Sequence, residues 1–250
     1  MTTSGVELNH AGPVATVTLR RPDVLNAQTP DTWAALREIG RSLPGDVRVV
    51  VVRGEGRAFS SGLDVSSGGP GFIAELTSLP PASAADRIQP AQEGFTWLHR
   101  PDIVSVAAVQ GHAIGAGFQL ALACDLRVLA DDAKLTMAEI TLGLIPDLAG
   151  SKRLVDLVGY ARALEICLTA RRISAEEALR LGLATVVVPR AELDSAVSDL
   201  VAAVLAAPRD AVVEMKALLS GAASRSWPEQ LAAEREAQVR RLRDLAGLGE

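Results

Sequence analysis

The chain has 250 residues, 48% of them hydrophobic, and a formal net charge of −5. That length supports one sizeable core without disulfide or metal staples, and a negative balance with no basic stripe argues against a nucleic-acid partner. No window approaches the roughly 18 uninterrupted apolar residues of a membrane span, and no basic region precedes a long apolar run, so a cytoplasmic globular protein without a membrane partner is expected.

In chain order, residues 14–19 alternate and are rich in valine and threonine, which predicts a strand. Thr29 and Pro30 have the form of an N-cap and first helical residue, and Trp33, Leu36, Ile39 and Leu43 then mark one buried helix face. Residues 47–52 are a β-branched run fit for a strand covered on both faces. From 66 to 101 the pattern weakens: "SSGGPG" and "SLPPASAAD" are loop chemistry, with a helix at 91–98, and this irregular stretch is expected to form one wall of a pocket. Residues 103–109 predict another buried strand, followed by a glycine turn, a helix through Cys124 and a short strand at 126–130. Helices are expected up to Val158, where Gly159 stops the first, and over 161–168. Ser174 to Glu177 has the spacing of a capping box opening a short helix closed by Gly182. A last strand at 184–188 precedes a tail that reads as helices only. Cys124 and Cys167 both fall in apolar helical segments and are expected as buried reduced thiols; no Cys/His spacing suggests a metal.

Two glycine turns carry the chemistry. "GEGRAFSSGLD" and "GHAIGAGFQ" each follow a buried strand, yet neither has the Gly-Lys-Ser/Thr of a phosphate loop or a GxGxxG spacing. Two such turns can instead aim two backbone N–H groups at one point, which is what a developing oxyanion requires.

Together these segments resemble the signature of the crotonase superfamily, the enoyl-CoA hydratase/isomerase family. "GEGRAFSSGLDV" is similar to its first motif and "AAVQGHAIGAGFQLALACDLRV" to its second; "AEITLGLIPDLAGSKRL" and "RRISAEEALRLGLATVVV" extend the match over nearly the whole chain. The resemblance implies an α/β fold, a crotonase-like spiral of ββα units with a C-terminal helical segment. The division expected here is a spiral core with the acyl-CoA site over 1–191 and a helical oligomerisation and lid segment over 192–250. It also implies a homotrimer or dimer of trimers acting on an acyl-CoA thioester, with coenzyme A as part of the substrate and no separate cofactor. The oxyanion donors it implies are the backbone N–H groups of Leu63 and Ala116. Gly62, Asp64, Gly115 and Gly117 are assigned to substrate binding, the glycines by letting the thioester approach the backbone and Asp64 by ordering its own turn.

By the same resemblance, the two glutamates that flank the substrate in family hydratases align with Gln119 and Glu139. Glutamine can orient water but cannot take its proton, and a lost general base typically costs about 10²–10⁴-fold. Glu139 alone suffices to carry a proton from one acyl carbon to another, so double-bond isomerisation is favoured over hydration, with Glu139, Gln119 and Asp147 as the catalytic set. Asp147 stands where common hydratases have glycine; it either caps the next helix or takes part in the chemistry, as in branches that isomerise or hydrolyse ring-bearing acyl-CoAs. The departure at Gln119 also leaves open a non-catalytic acyl-CoA-binding protein of the same fold.

Overall fold

The computed structural model describes residues 4–66 and 68–248. Val6–Ala11 (β1) turns back on Val14–Leu19 (β2), and Pro30–Ser42 (α1) follows. The Thr29 hydroxyl accepts from the Thr32 N–H and the Thr32 hydroxyl accepts from the Thr29 N–H, closing the predicted N-terminus reciprocally. Next come Val49–Gly54 (β3), Gly68–Ser78 (α2), Pro81–Thr96 (α3), Val104–Val109 (β4), His112–Ile114 (β5) and Ala116–Ala123 (α4). Leu126–Ala130 (β6), Lys134–Thr136 (β7), Gly150–Val158 (α5), Tyr160–Thr169 (α6), Ile173–Ser174 (β8), Ala175–Arg180 (α7) and Val186–Val188 (β9) complete the spiral. Three helices end the chain: Leu193–Ala206 (α8), Arg209–Ala222 (α9) and Trp227–Leu245 (α10).

Six strands form one sheet in the order β1-β2-β3-β4-β6-β9, antiparallel only at β1-β2. β5, β7 and β8 form a small second sheet. The β-branched run of β3 is covered on both sides, as its composition demands: Val50 and Val52 enter the main core, while Val49 and Val51 meet Leu193, Val197 and Val201 of α8. Thus α8 is a layer of the folded body. α9 has no buried residue, and α10 buries Ala237 alone among the described residues.

The expectation of an irregular stretch over 66–101 is corrected. Apart from Ser67, which lies outside the described residues, the segment is mostly two helices, α2 and α3. Pro81 occupies the first turn of α3, where its fixed φ suits the helix and no N–H is needed, so the "PP" that suggested a loop is a helix start. The helix expected at 91–98 is only the end of α3. β1 was not expected because its outer half is exposed and polar, and β5, β7 and β8 are too short to show alternation. At Ser174 the hydroxyl does accept from the Glu177 N–H, but the Glu177 carboxylate is held by Arg171, so only half of the capping box is made. Both cysteines are free thiols; Cys124 is buried, and burial pushes its pKa up to about 12. No helix among the described residues is long and apolar enough to cross a membrane.

Candidate active site

The two glycine turns meet. After β3 the chain runs beside the segment leading into α4: Phe59 N–H donates to Gln110 O, Ser60 N–H to His112 O, and Ile114 N–H back to Ser60 O, at 2.8–3.0 Å. A single bridge also ties Leu63 to Gln28. Gly62 is the hinge of this contact. Its φ is +87°, and a Cβ there would lie 2.5 Å from the Ile114 carbonyl oxygen and 3.4 Å from the Ala116 nitrogen, so no side chain fits.

That packing leaves two donors free. Gly62 N–H donates to the Ser60 hydroxyl, Asp64 N–H to Gln28 O, and Gly115 N–H to Thr136 O. Between them, the N–H groups of Leu63 and of Ala116, the first residue of α4, have no hydrogen-bond acceptor among the described residues. Ala116 adds the positive end of a helix. The far end of α4 is anchored by the buried Arg127, which donates to the carbonyls of Cys124 and Leu183.

Leu63, Gly115 and Ala116 border a cavity of about 360 Å³ that Gln119, Glu139 and Asp147 also line. Apart from Ser61, its other walls are apolar: Trp33 from α1, Phe72, Ile73 and Leu76 from α2, and Leu142, Leu144, Ile145 and Leu148 among them. The 66–101 segment therefore does form a pocket wall, through helices. Of the expected site residues, Gly62, Asp64 and Gly117 lie behind the chamber's lining and the others face it. Asp64 is buried, accepts from the Ser66 N–H and hydroxyl, and pairs with Arg21 at 2.9 Å, so it does order its own turn. Gly117 packs against Ser60, where a Cβ would sit 2.6 Å from the carbonyl oxygen.

Gln119 is 1% exposed and its amide is fully engaged on the acceptor side. Nε2 donates to Glu139 Oε1 at 2.7 Å, while Oε1 accepts from the N–H groups of Leu148 and Gly150 at 2.8 and 3.3 Å. Those two donors straddle Ala149, whose φ of +65° is a conformation a non-glycine residue rarely holds. One side chain thus fixes both the carboxylate and the loop carrying Asp147. Glu139 keeps its other oxygen, Oε2, buried and without a hydrogen-bond partner. Burial, helped by the nearby Asp147 charge, raises the Glu139 pKa against the lowering effect of the Gln119 bond. Burial likewise raises that of Asp147. Asp147 does not cap α5; that position belongs to Ala149, which offers no side-chain bond.

The chamber's aromatic wall has no counterpart in the sequence pattern. Trp33 has the spacing of a core residue, and its Nε1 donates to Gln28 Oε1, the side chain that also holds Ser60. Only the scarcity of aromatic residues, four phenylalanines, three tryptophans and one tyrosine, could have singled it out. A larger hollow of about 570 Å³ lies under α9, but its Lys216 and Asp125 are already paired to each other.

The model of the enoyl-CoA hydratase/isomerase family matches residues 9–244. The short-chain-enoyl-CoA hydratase of Clostridium acetobutylicum is 33% identical over 77% of this chain and 72% of its own. The peroxisomal Delta(3,5)-Delta(2,4)-dienoyl-CoA isomerase of Arabidopsis thaliana is 32% identical over 80% and 75%. A Thermobifida fusca YX protein solved in complex with acetoacetyl-CoA is 49% identical, with a TM-score of 0.91 over 96% of each chain. A match spanning almost the whole sequence, on a fold and site of this form, places the chain in the enoyl-CoA hydratase/isomerase family as one of its enzymes.

Proposed function

We propose that this enzyme shifts the double bond of an enoyl-CoA, and that it does so in preference to hydrating it. The thioester carbonyl would sit against the Leu63 and Ala116 N–H groups, which stabilise the enolate formed when a proton leaves the acyl chain. Glu139 would take that proton on Oε2 and return it to another carbon of the same chain. The Thermobifida fusca relative solved with acetoacetyl-CoA supports a thioester ligand here.

The observation that carries the preference is the engagement of Gln119. Hydration needs an acceptor to draw a proton from water on the side opposite Glu139. Gln119 Oε1 already accepts two backbone N–H groups and has no basic lone pair to offer. Glu139, by contrast, presents one buried, unpartnered oxygen, and burial raises its pKa, the direction that makes a carboxylate a better proton acceptor. The test is a panel of 3-enoyl- and 2-enoyl-CoA thioesters followed by thioester absorbance and mass spectrometry. Isomerised product without added water is expected, with its loss in Glu139→Ala; hydroxyacyl product as the main outcome overturns the preference.

Asp147 supports a second reading. Its carboxyl lines the same chamber with a raised pKa, so a longer conjugated or ring-bearing acyl group could exchange a proton there as well. If Asp147→Ala abolishes turnover and Glu139→Ala is mild, this reading replaces the first. For assembly we propose a homotrimer or dimer of trimers. The support is the exposed apolar set of α9 and α10, Met215, Leu219, Trp227, Leu231, Val239 and Leu242, which a second copy would cover. Light scattering that reports a monomer at micromolar concentration refutes it.

A further inference from the structure

Behind the acyl chamber lies a second, smaller cavity of about 200 Å³, and the two share a wall. Trp33 and Phe72 line both. Their rings meet edge to face, 5.5 Å between centroids at 76°. Trp33 is pinned through Nε1 to Gln28, whereas Phe72 is held by packing alone, so joining the two spaces requires the Phe72 ring to move.

The chemistry changes across that wall. The chamber is apolar where an acyl tail would run, whereas the second cavity is bordered by Arg37, Arg87 and Asp31. Arg87 is already engaged: its guanidinium pairs with Glu75 and lies over the Phe72 ring at 5.2 Å. Arg37 is not. Its Nε is buried without a hydrogen-bond partner, and no ion pair joins it to Asp31 or to any other described residue. A buried Nε–H without an acceptor is destabilising and calls for one, and the planar fork of arginine fits a carboxylate with two parallel bonds.

We infer that the second cavity is the distal end of the acyl site, and that the preferred substrate is a CoA thioester whose acyl chain ends in a carboxylate held by Arg37. This rests on the chamber being the acyl site, as proposed above. A plain hydrocarbon tail would fill the chamber and stop at Phe72. A tail with a terminal carboxylate would displace Phe72 and give Arg37 its missing acceptor. Without such a subsite, a charged tail would be desolvated against an apolar wall and would bind worse than a plain one.

The test is calorimetry with pairs of saturated CoA thioesters of equal chain length, one plain and one ending in a carboxylate. Saturated thioesters cannot isomerise, so binding is read independently of Glu139. At the chain length that spans the wall, wild type is expected to bind the carboxylated member about 10–100-fold more tightly, the usual worth of a charge-assisted bond pair. In Arg37→Met the ratio should fall to one or below, and in Arg37→Lys part of it should return. A general loss of fold would weaken both thioesters together and leave the ratio as it was, so the ratio is the readout. No preference at any length, or a ratio that survives Arg37→Met, overturns the inference. So does a free short dicarboxylate that binds with the same Arg37-dependent strength, because the anion then needs no acyl chain. If neither thioester binds, it is the acyl-CoA assignment of the chamber that fails, and the inference falls with it.

Discussion

Replacing Gln119 by glutamate would supply the second carboxylate that hydration needs, and the structure limits how much that can help. The new carboxylate would lie where Nε2 now sits, 2.7 Å from Glu139 Oε1. At that separation and an effective dielectric of about 20, two full charges repel by roughly 6 kcal/mol. The pair therefore shares one proton near neutrality and titrates as a dyad. When protonated, the introduced carboxyl would still donate to Glu139 and still accept from Leu148 and Gly150, so isomerisation should survive in Gln119→Glu. Hydration of a short 2-enoyl-CoA should rise by no more than about 10²-fold at neutral pH, the low end of what a general base contributes, and should climb further as pH increases. Steady-state kcat/KM for both reactions across pH 6–9 (roughly the span over which such a dyad changes charge) checks this. A gain of about 10⁴-fold that is flat with pH, or a loss of isomerisation, would refute the contact on which the reasoning stands.

Glu139→Gln should abolish isomerisation yet stabilise the fold at neutral and alkaline pH. The folded-state pKa of Glu139 is raised, so wild-type stability falls as pH climbs above the ordinary 4.5, and the melting-temperature gap to the variant should widen until pH has passed the folded-state value. Asp147→Asn removes a charge that raises the Glu139 pKa, so the acid limb of the kcat/KM profile should move to lower pH; an upward shift would contradict the placement. Gly62→Ala should cost about 1–3 kcal/mol of stability and at least roughly tenfold in kcat/KM, because φ is +87° and the new Cβ meets the Ile114 carbonyl. Thermal melts and kinetics left unchanged would show that the two turns are not in contact.

The middle of the main sheet was legible because β2, β3, β4 and β6 are five- or six-residue runs of alternating or continuous apolar residues: β3 announces a doubly covered strand, and α8 supplies the second cover. The second sheet was not, since strands of two or three residues carry no period and are held by neighbours distant in sequence. The proline and glycine clusters of 66–101 misled for a definite reason. Residues that break a helix in its middle also open one, and Pro81 does the latter. At the site, motif resemblance located Gln119, Glu139 and Asp147, and all three do face one chamber. What no motif could convey is connectivity. That the Gln119 carbonyl is taken up by Leu148 and Gly150 depends on a left-handed turn at Ala149, far along the chain.

The free N–H groups at Leu63 and Ala116 belong to the main chain, so no exchange of side chain at either position, short of proline, deletes them. Otherwise they are lost by disturbing the glycines that set the backbone. The groups at 119, 139 and 147 are ordinary side chains, each replaceable by a single codon change without unmaking the turns. Selection acting on such a molecule can revise the side-chain chemistry of the chamber while the pair of main-chain donors at its edge is inherited intact. That asymmetry gives a physical reason why hydratases and isomerases are found among relatives built on one backbone.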